Sequence, residues 1–387
     1  MPITKKNTST AKLTAFIRSL DNPLLDMDYR PGLDRVRDVL SHFPPHQPKL
    51  RIRIAGTNGK GSTGYFLESA FKASGFTTGF YTSPHILHFN ERIRINGSSA
   101  SDEALMPLLT DILDQGKKYA ASPFELATVL ALNAFAHDHV DIEILECGLG
   151  AKLDATTAVP ADMALITPIA LDHQAWLGDT IQKITAEKAY VMQGCAFSVS
   201  VPQQPEVSAV LQGFNPDLLT CNIDTFETLK APGRHQHINA SLAYAAINML
   251  NEAQFMTVDP KKARKGIISC QIPGRLQKIN IGRANIWLDA AHNQHAVEAL
   301  LPSLPDLANP FDAILVFTRQ DRSLKGALSL LRPYTKRLIS DKKQNSDTGL
   351  PLAALQTEIR KTPTGNFLVL GSFTTVAAIL RSLQTTG

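Results

Sequence analysis

The sequence predicts an α/β fold of two domains, a larger one built on a parallel sheet and a smaller one after it. The length of 387 residues exceeds what a single hydrophobic core usually serves. Hydrophobic residues make up 44% of the chain and charged residues 19%, which is typical of a folded, soluble protein. Apolar segments rich in Ile and Leu alternate with segments of helical periodicity, and this order favours parallel strands.

The larger domain is predicted to cover residues 1–270. KLRIRIA (49–55) alternates polar and apolar residues and predicts a strand, and STGYFLESAFKASG (62–75) predicts a helix that ends at Gly75. FTTGFYTS (76–83) predicts the next strand. The order of strand, glycine-rich loop, helix and strand is a βαβ unit, which again indicates a parallel sheet.

The rest of this domain supplies two more buried strands. VDIEILECGLG (140–150) and ADMALITPIALDH (161–173) carry the apolar runs of strands that are covered on both faces. Residues 194–230 show no regular pattern, and we expect irregular structure there. NASLAYAAINMLNEA (239–253) predicts a helix with Asn239 as its N-cap.

Residues 271–387 are predicted to form the smaller α/β domain. Its strands are indicated by four apolar segments, RANIWLDAA (283–291), FDAILVF (311–317), RLIS (337–340) and NFLVLGS (366–372). Helices are expected between these strands and after the last of them.

The composition predicts a cytoplasmic protein without a nucleic-acid or membrane partner. The net charge is +4 and the basic residues are dispersed, with only KKARK (261–265) forming a cluster. No apolar run reaches the roughly 18–20 residues of a membrane helix, and the N-terminal segment lacks the apolar stretch of a secretory signal. The four cysteines lack C-x-x-C spacing and are predicted to be free thiols, namely Cys147, Cys195, Cys221 and Cys270.

Between the first strand and its helix lies AGTNGKGS (55–62), which differs from the usual phosphate-loop spacing G-x-x-x-x-G-K-[ST]. Its glycines would let backbone N–H groups face an anion at the helix N-terminus. Lys60 could reach the β- and γ-phosphates of a nucleotide, and Ser62 places a hydroxyl nearby. The alternative is a glycine turn without a ligand. The position between strand and helix favours the phosphate site.

Glu146 and His173 are candidate magnesium ligands. Each ends a predicted parallel strand, and ligands bind in the crevice at the carboxyl ends of such strands. A carboxylate there can hold Mg²⁺ directly or through water. Alternatively, Glu146 caps the following GLG turn, and His173 is a structural hydrogen-bonding residue.

Three further segments carry polar residues whose roles the residues alone leave open. The loop TSPHILHFNERIRING (82–97), which carries Ser83, Asn90, Glu91 and Arg92, could contact a substrate or a metal. LDAAHNQHA fits a loop that faces a nucleotide, although Asp289 or Asn293 could equally cap the following helix. Lys188, in ITAEKAYVMQ, is indicated only as a surface lysine paired with a neighbouring carboxylate.

Seven motifs occur together in the order typical of one family. They span nearly the whole chain and are AGTNGKGS, TSPH…FNERIRING, ECGLGAKLDAT, IALDHQAWLGDTIQKITAEKA, PGR, DAAHN and GSFTTVA. With this set the sequence resembles the folylpolyglutamate synthase and dihydrofolate synthase family of bacterial bifunctional type, within the Mur ligase superfamily. The spacing of the glycine loop is itself the family's form. The resemblance implies a P-loop parallel-sheet ATPase domain followed by a Rossmann-like glutamate ligase domain.

The resemblance also implies an activity. The enzyme would add L-glutamate to dihydropteroate and to tetrahydrofolate polyglutamates through an acyl phosphate, as an ATP-dependent acid–amino-acid ligase. It would use ATP and Mg²⁺ at two sites, one of them formed with carbamylated Lys188. Its partners would be these small molecules alone, and it would act as a monomer.

The resemblance assigns roles to individual residues. The catalytic residues would be Lys60, Lys188 and His173. ATP would contact Thr57, Asn58, Gly59, Lys60, Gly61 and Ser62 in the loop, and across a cleft Asn239, Arg275 and Asp289. Magnesium would be held by Ser83, Glu146, His173 and the carbamate of Lys188. The pterin substrate would lie near Phe124, Leu153 and Asp154.

The chain departs from the family pattern at several positions. The family pattern G-L-G-G-R-L-D-A-T-N reads GLGAKLDATT in this chain, so Ala151, Lys152 and Thr157 replace Gly, Arg and Asn. The family's E-K-A-G reads EKAY, with Tyr190 in place of Gly. The family's D-K-D element is DRS at 321–323. These changes leave open a regulatory or catalytically weak ATP-binding paralogue. Another Mur-type amino-acid ligase is a second alternative, although a muramyl-peptide ligase would be expected to carry a further domain before the glycine loop.

Overall fold

The computed structural model describes residue 16 and residues 32–319, 324–340 and 350–384. The chain divides into two compact units, each made of three segments. The first unit is Met1–Ser83, Phe89–Asn222 and Ser241–Ile267, and the second is Pro84–His88, Ile223–Ala240 and Ile268–Gly387. The sequence suggested one boundary at residue 270, whereas two segments before it group with the second unit. The DRS element at 321–323 lies outside the described residues.

The first unit is built on an eight-stranded sheet, in the order β4-β3-β2-β5-β1-β6-β7-β8 across the described residues. The strands are β1 (Leu50–Ala55), β2 (Thr78–Tyr81), β3 (Ile93–Ile95), β4 (Ser98–Ser99), β5 (Ile142–Glu146), β6 (Met163–Ile166), β7 (Phe197–Ser200) and β8 (Leu219–Thr220). All pairs are parallel except those that β3 makes with β2 and β4. Because β1 lies between β5 and β6, the glycine loop leaves the sheet between the ends of these two strands.

β1 carries two arginines although the strand is buried along its whole length. Arg51 forms an ion pair with Glu143 of β5 and donates to the carbonyl of Pro160 at 2.9 Å. Arg53 donates to the carbonyl of Gln193 at 3.1 Å. Burying a guanidinium is tolerated only where such partners replace water. The alternation of polar and apolar residues therefore identifies the strand but does not mark a solvent face.

Helices cover the sheet of the first unit. They are α1 (Asp34–His42), α2 (Lys60–Ala73), α3 (Asp102–Lys118), α4 (Pro123–His137), α5 (Gln174–Leu177), α6 (Ile181–Ala189) and α7 (Pro205–Phe214), followed by α8 (His235–Glu252) and α9 (Pro260–Ser269) near the change of unit. The start of α4 is encoded locally: Pro123 occupies its first turn, and Ser122 and Glu125 cap each other's backbone N–H groups.

Over its described residues, the second unit contains a five-stranded sheet in the order β12-β11-β13-β10-β9. Its strands are β9 (Gln277–Ile281), β10 (Ala284–Asp289), β11 (Ala313–Val316), β12 (Leu338–Ser340) and β13 (Asn366–Leu370). Only the pair of β9 and β10 is antiparallel. The helices are α10 (Gln294–Leu300), α11 (Leu304–Leu307), α12 (Lys325–Leu331), α13 (Leu350–Lys361) and α14 (Phe373–Gln384). The mixed α/β fold predicted from the sequence is confirmed.

Four local expectations were wrong. Residues 194–230 are not irregular, because they contain β7, α7 and β8. The supposed loop 82–97 contains β3, which pairs with β2. The strand before His173 ends at Ile166. Asn239 lies inside α8 rather than capping it, because the helix already begins at His235.

The crossing of α2 and α9 has no room for a side chain at Gly266. A Cβ there would lie 2.4 Å from the carbonyl oxygen of Ser69, and the Ser69 hydroxyl donates to the Gly266 carbonyl at 2.8 Å. We expect Gly266→Ala to lower the free energy of unfolding by about 1–3 kcal/mol, because backbone must move to relieve the clash. Gly213→Ala is the matched control and should be neutral or stabilising, because a Cβ at this helical glycine would meet no described atom within 4 Å. Thermal unfolding of both variants measures the difference, and equal midpoints would contradict the prediction.

A membrane-crossing helix would need a long apolar stretch. Within the described ranges, no helix has the length and apolar character required.

Candidate functional site

The glycine loop connects the end of β1 to the start of α2. Gly56 has a φ of 146°, and a Cβ at this position would lie 1.9 Å from the Thr167 hydroxyl oxygen, so no other residue fits. Gly59 has a φ of 92° immediately before the helix. The predicted order of strand, loop and helix is confirmed, with the helix beginning at Lys60.

The segment after β6 is hydrogen-bonded to this loop. The Thr57 N–H donates to the carbonyl of Pro168 at 2.9 Å. The Thr57 hydroxyl donates to the carbonyl of Ala170 at 2.9 Å and accepts from the Ala170 N–H at 3.0 Å. Thr57 is therefore used to fix the loop, and the chain towards His173 runs alongside it.

The first turn of α2 has the properties of an anion site. The Nζ of Lys60 lies 3.3 Å from the carbonyl oxygen of Gly56 and 3.4 Å from that of Thr57, so the ammonium group turns back over the loop. The hydroxyl of Ser62 is buried and has no hydrogen-bond partner among the residues that the structure describes. Buried polar groups are normally paired, so a bound oxygen ligand would satisfy this hydroxyl. The N–H groups of a first helical turn also favour negative charge.

Lys188 reaches the same loop from α6. Its side chain is buried, and its Nζ donates to the carbonyl of Gly56 at 2.8 Å. Burial, reinforced by the positive charge of Lys60, lowers the pKa of Lys188 to about 7. The side chain is thus about half neutral at pH 7, whereas an ordinary lysine is almost fully charged. The suggestion of a paired surface lysine was wrong.

Glu146 lies at the end of β5, directly opposite Ile54 of β1. Its carboxylate accepts hydrogen bonds from the Thr82 hydroxyl and from the Ser83 N–H, the latter at 3.3 Å. A Cβ on Gly61 would lie 3.2 Å from the same carboxylate, so the residue after Lys60 passes close to it. The structure therefore brings Glu146, Ser83 and the loop together, as expected. The contact between Thr82 and Glu146 was not predicted, and in the sequence only the position of Thr82 beside Ser83 could have indicated it.

His173 lies on the segment between β6 and α5 rather than at the end of a strand. It does not end a strand, because β6 stops at Ile166 and the intervening residues bond to the glycine loop instead. His173 is exposed and has a φ of 52° just before α5. The neighbouring Asp172 lies close enough to Lys188 to oppose the lowering of its pKa.

The residues predicted to bind magnesium include few side chains of the types that usually hold a metal ion in proteins. Within residues 32–319, 324–340 and 350–384, no three His, Cys, Asp or Glu side chains cluster so that they could hold a metal ion. The predicted set contains only two side chains of these kinds, Glu146 and His173. Any magnesium ion here would need hydroxyl, carbamate or substrate oxygens as well.

Of the residues predicted to lie near the pterin, Leu153 and Asp154 belong to one loop, residues 148–154, and Phe124 packs against it. The loop is called the substrate loop here after that prediction. Phe124, in the first turn of α4, packs so tightly on Gly148 that a Cβ there would lie 2.6 Å from its ring. Leu153 is 38% exposed. Phe124 also contacts Tyr81, with ring centroids 6.0 Å apart.

Asp154 holds the substrate loop from inside. Its buried carboxylate accepts from the N–H groups of Gly148 at 2.8 Å, Leu149 at 3.0 Å and Thr156 at 3.0 Å, and from the Thr156 hydroxyl at 2.6 Å. Burial raises the pKa of Asp154, and these hydrogen bonds oppose that rise. The observed contacts are those of a residue that shapes the loop, and a direct contact with a substrate stays a prediction.

In the second unit, Arg275 and Asp289 lie close together. The Arg275 guanidinium opposes the rise in the Asp289 pKa that burial causes. The Asp289 carboxylate accepts from the N–H groups of Leu276 and Ala291, each at 2.8 Å. Arg275 also lies over the ring of Phe373, 4.9 Å from its centroid.

Asn239 is buried in α8 and its amide donates to the side chain of Gln236 at 3.0 Å. At the start of this helix lies His235, which the sequence did not single out. Burial and the charge of Arg275 lower the pKa of His235 to about 4. Asn293 caps α10 by accepting from the Ala296 N–H at 2.8 Å, so the helix-capping alternative is correct for this residue.

The departures from the family pattern fit the structure. The methyl group of Ala151 is buried in the core that includes Ile184 and Ala189 of α6. The Thr157 hydroxyl lies 3.0 Å from the carbonyl of Ala151 and 2.7 Å from that of Asp154. These substitutions leave the substrate loop internally bonded.

No protein-family model matches the chain. Individual relatives do. The dihydrofolate synthase/folylpolyglutamate synthase of Bacillus subtilis is 30% identical over 351 residues, which cover 81% of this chain and 81% of the relative. A solved structure of E. coli FolC in complex with DHPP and ADP shares 27% identity, with a TM-score of 0.78 over 92% of this chain and 94% of that one. Mycobacterium tuberculosis folylpolyglutamate synthase, complexed with ADP and AMPPCP, shares 25% identity and a TM-score of 0.78 over 96% and 98%.

The fold and the lysine-bearing glycine loop define an ATP-dependent ligase of the Mur type. Within that class, the chain belongs to the dihydrofolate synthase/folylpolyglutamate synthase family.

Proposed function

We propose that the protein is an ATP-dependent ligase that adds L-glutamate to dihydropteroate and to tetrahydrofolate polyglutamates. The relative from B. subtilis is named for both activities. The E. coli protein was solved in complex with DHPP and ADP, and the M. tuberculosis protein was solved in complexes with ADP and AMPPCP. The observation that carries the proposal is that Lys60 and Lys188 both reach the Gly56 carbonyl, while the Ser62 hydroxyl, two residues after Lys60, has no hydrogen-bond partner in the described part of the chain.

The chemistry requires activation of a carboxylate, because hydroxide is a poor leaving group. In the first step, a carboxylate oxygen of the folate substrate attacks the γ-phosphorus of ATP, and the bond to ADP breaks. The product is an acyl phosphate. In the second step, the amino nitrogen of L-glutamate attacks the acyl carbon, phosphate leaves, and the nitrogen loses a proton to give the amide. The protein's part is to align these groups and stabilise the developing charge.

The glycine loop would bind the phosphates. The N–H groups of its last residues and of the first turn of α2 would donate to an anion, and the Lys60 ammonium is already held at the loop by two carbonyls. On phosphate binding, the ammonium would exchange these neutral partners for charged oxygens. Charge-assisted hydrogen bonds of that kind are the stronger ones.

Lys188 would act as a carbamate. Carbamate formation joins the neutral amine nitrogen to the carbon of CO₂ and releases a proton, so it needs an uncharged lysine. The low pKa of Lys188 supplies that form near neutral pH. The modification turns a buried cation beside Lys60 into an anion, which removes a repulsion between like charges.

The oxygen donors around Glu146 fit a magnesium ion. Glu146 supplies a carboxylate, and Ser83 and Ser62 supply hydroxyls close to the loop. His173 and the carbamate of Lys188 would complete the protein ligands. When bound, Mg²⁺ neutralises charge on the phosphates as one is transferred. In the second unit, Asn239, Arg275 and Asp289 would contact the nucleotide.

A product assay tests the proposal. Purified protein with ATP and Mg²⁺ should release ADP when given dihydropteroate plus L-glutamate, or tetrahydrofolate plus L-glutamate, and not when glutamate is omitted. ADP release with only one acceptor would restrict the function to one of the two activities. Nucleotide binding without glutamate-dependent ADP release would instead support the regulatory paralogue.

Two further proposals come from the resemblance. The chain acts as a monomer, and it acts in the cytoplasm. Sedimentation of the purified protein at assay concentration checks the first, with a mass of 42.2 kDa expected.

A further inference from the structure

Two of the residues that depart from the family pattern meet in the structure. The Nζ of Lys152 lies over the ring of Tyr190, 4.8 Å from its centroid. The Tyr190 ring also packs edge-on against Phe214 of α7, with centroids 5.2 Å apart. An ammonium group over an aromatic face is attracted by the electron density of the ring. The exposed Lys152 side chain is thus tied to a ring that is itself held by a neighbouring helix.

This contact joins two parts of the candidate site. Lys152 belongs to the substrate loop, next to Leu153, while Tyr190 directly follows the helix that carries Lys188. The loop also approaches this helix at Gly150, where a Cβ would lie 3.9 Å from the Cβ of Glu187. Its backbone at Gly150 has a φ of 65°. The loop thus approaches the helix of Lys188 at the backbone of Gly150. The cation–π contact adds a second attachment, through the side chain of Lys152.

We propose that Tyr190 is a positioning residue for the folate substrate, which acts by holding Lys152 and with it the substrate loop against the helix of Lys188. The proposal deepens the proposed function and rests on it. Glycine at position 190, as in the family pattern, offers no ring, so this chain fixes the loop in its own way. A loop that is ordered before binding loses less conformational entropy when the substrate arrives.

Kinetics of four single variants and one double variant test this role. Tyr190→Leu and Lys152→Met remove the two partners, and Tyr190→Phe and Lys152→Arg keep an aromatic face and a cation. We expect the two removals each to raise KM for tetrahydrofolate roughly two- to five-fold, the range of an exposed cation–π contact, while KM for ATP stays unchanged. The two conservative variants should keep the unaltered KM. The double variant Tyr190→Leu/Lys152→Met should be no worse than either removal, because both break one contact.

The outcomes separate this inference from the function on which it rests. Unaltered protein that releases no ADP with either acceptor would overturn the proposed function and this inference together. Active unaltered protein with the same folate KM in Tyr190→Leu would overturn the inference alone. Additive effects in the double variant, or an equal rise in the KM for ATP, would also overturn it, since either result would indicate general damage rather than a shared contact.

Discussion

Replacing Lys188 by alanine is expected to lower the rate of glutamate-dependent ADP release by about 100-fold or more, the order of loss seen when a preorganised charged group is removed. The side chain is buried against the glycine loop, and its Nζ makes the shorter of the two lysine contacts with the Gly56 carbonyl, at 2.8 Å against 3.3 Å for Lys60. Lys188→Arg should be similarly impaired, because arginine keeps the positive charge but does not form the carbamate. Full activity of Lys188→Arg would contradict the carbamate.

Two measurements identify the chemical state of Lys188. Formate or acetate at high concentration should partly restore Lys188→Ala, since a small carboxylate can occupy the space of the proposed carbamate. Protein equilibrated with ¹³C-labelled CO₂ should show a carbamate carbon signal by NMR, and the Lys188→Ala variant should lack it. Lys183→Ala, on the exposed face of the same helix, is the matched control and should keep both activity and signal.

The amount of carbamate on Lys188 is expected to fall as the pH is lowered. Because the pKa of Lys188 is lowered to about 7, the neutral amine predominates above that pH and is lost as the pH falls through it. The carbamate signal should therefore decline between about pH 8 and pH 6. A lysine of ordinary pKa would have lost its neutral form well above pH 8. The same pKa shift means that the folded state disfavours the protonated lysine, so this residue opposes folding most strongly below pH 7 and progressively less as the pH rises towards 10.5.

Replacing Lys60 by alanine is expected to lower kcat/KM by a factor on the order of 100, which corresponds to about 3 kcal/mol of transition-state stabilisation. The ammonium group lies at the first turn of α2, where the phosphates are proposed to bind, and its present partners are two neutral carbonyls. The variant should unfold at nearly the same temperature as the unaltered protein, because those two long contacts contribute little.

Lys72→Ala is the matched control for Lys60→Ala. Lys72 is exposed in the last turn of the same helix, so its loss removes one positive charge from α2 without touching the loop. We expect its kcat/KM to stay close to that of the unaltered protein. If Lys60→Ala kept full glutamate-dependent ADP release, or if Lys72→Ala lost as much, the role given to Lys60 would be wrong.

Much of the fold could be predicted because it is encoded over short stretches. The apolar run before Glu146 and the glycines around Lys60 specify a strand and a loop through residues that are neighbours in the chain. The strand before His173 was overestimated because its apolar run continues beyond the point where neighbouring strands end. From Thr167 on, the backbone bonds to the glycine loop instead, which no apolar pattern reveals.

A residue of the candidate site could be predicted only where both its type and its position in a local motif indicate the same role. Lys188 could not be found from its own segment, because its partner is 132 residues away and the pattern of α6 does not show which loop that helix meets. Asp154 was predicted near the substrate, but its four donors come from a turn whose geometry the sequence does not specify. Asn239 has the residue type of an N-cap, yet the helix begins earlier, just after Gly233, whose φ of 104° allows the turn.

The shared attachment of Lys60 and Lys188 to the Gly56 carbonyl couples the charge at the glycine loop to the protonation of a lysine on another helix. Taking away the Lys60 charge would let the proton return to Lys188 more readily, so less CO₂ could be captured at a given pH. The two lysines are thus epistatic, and a thermodynamic cycle over both should show the double replacement costing less than the sum of the separate losses.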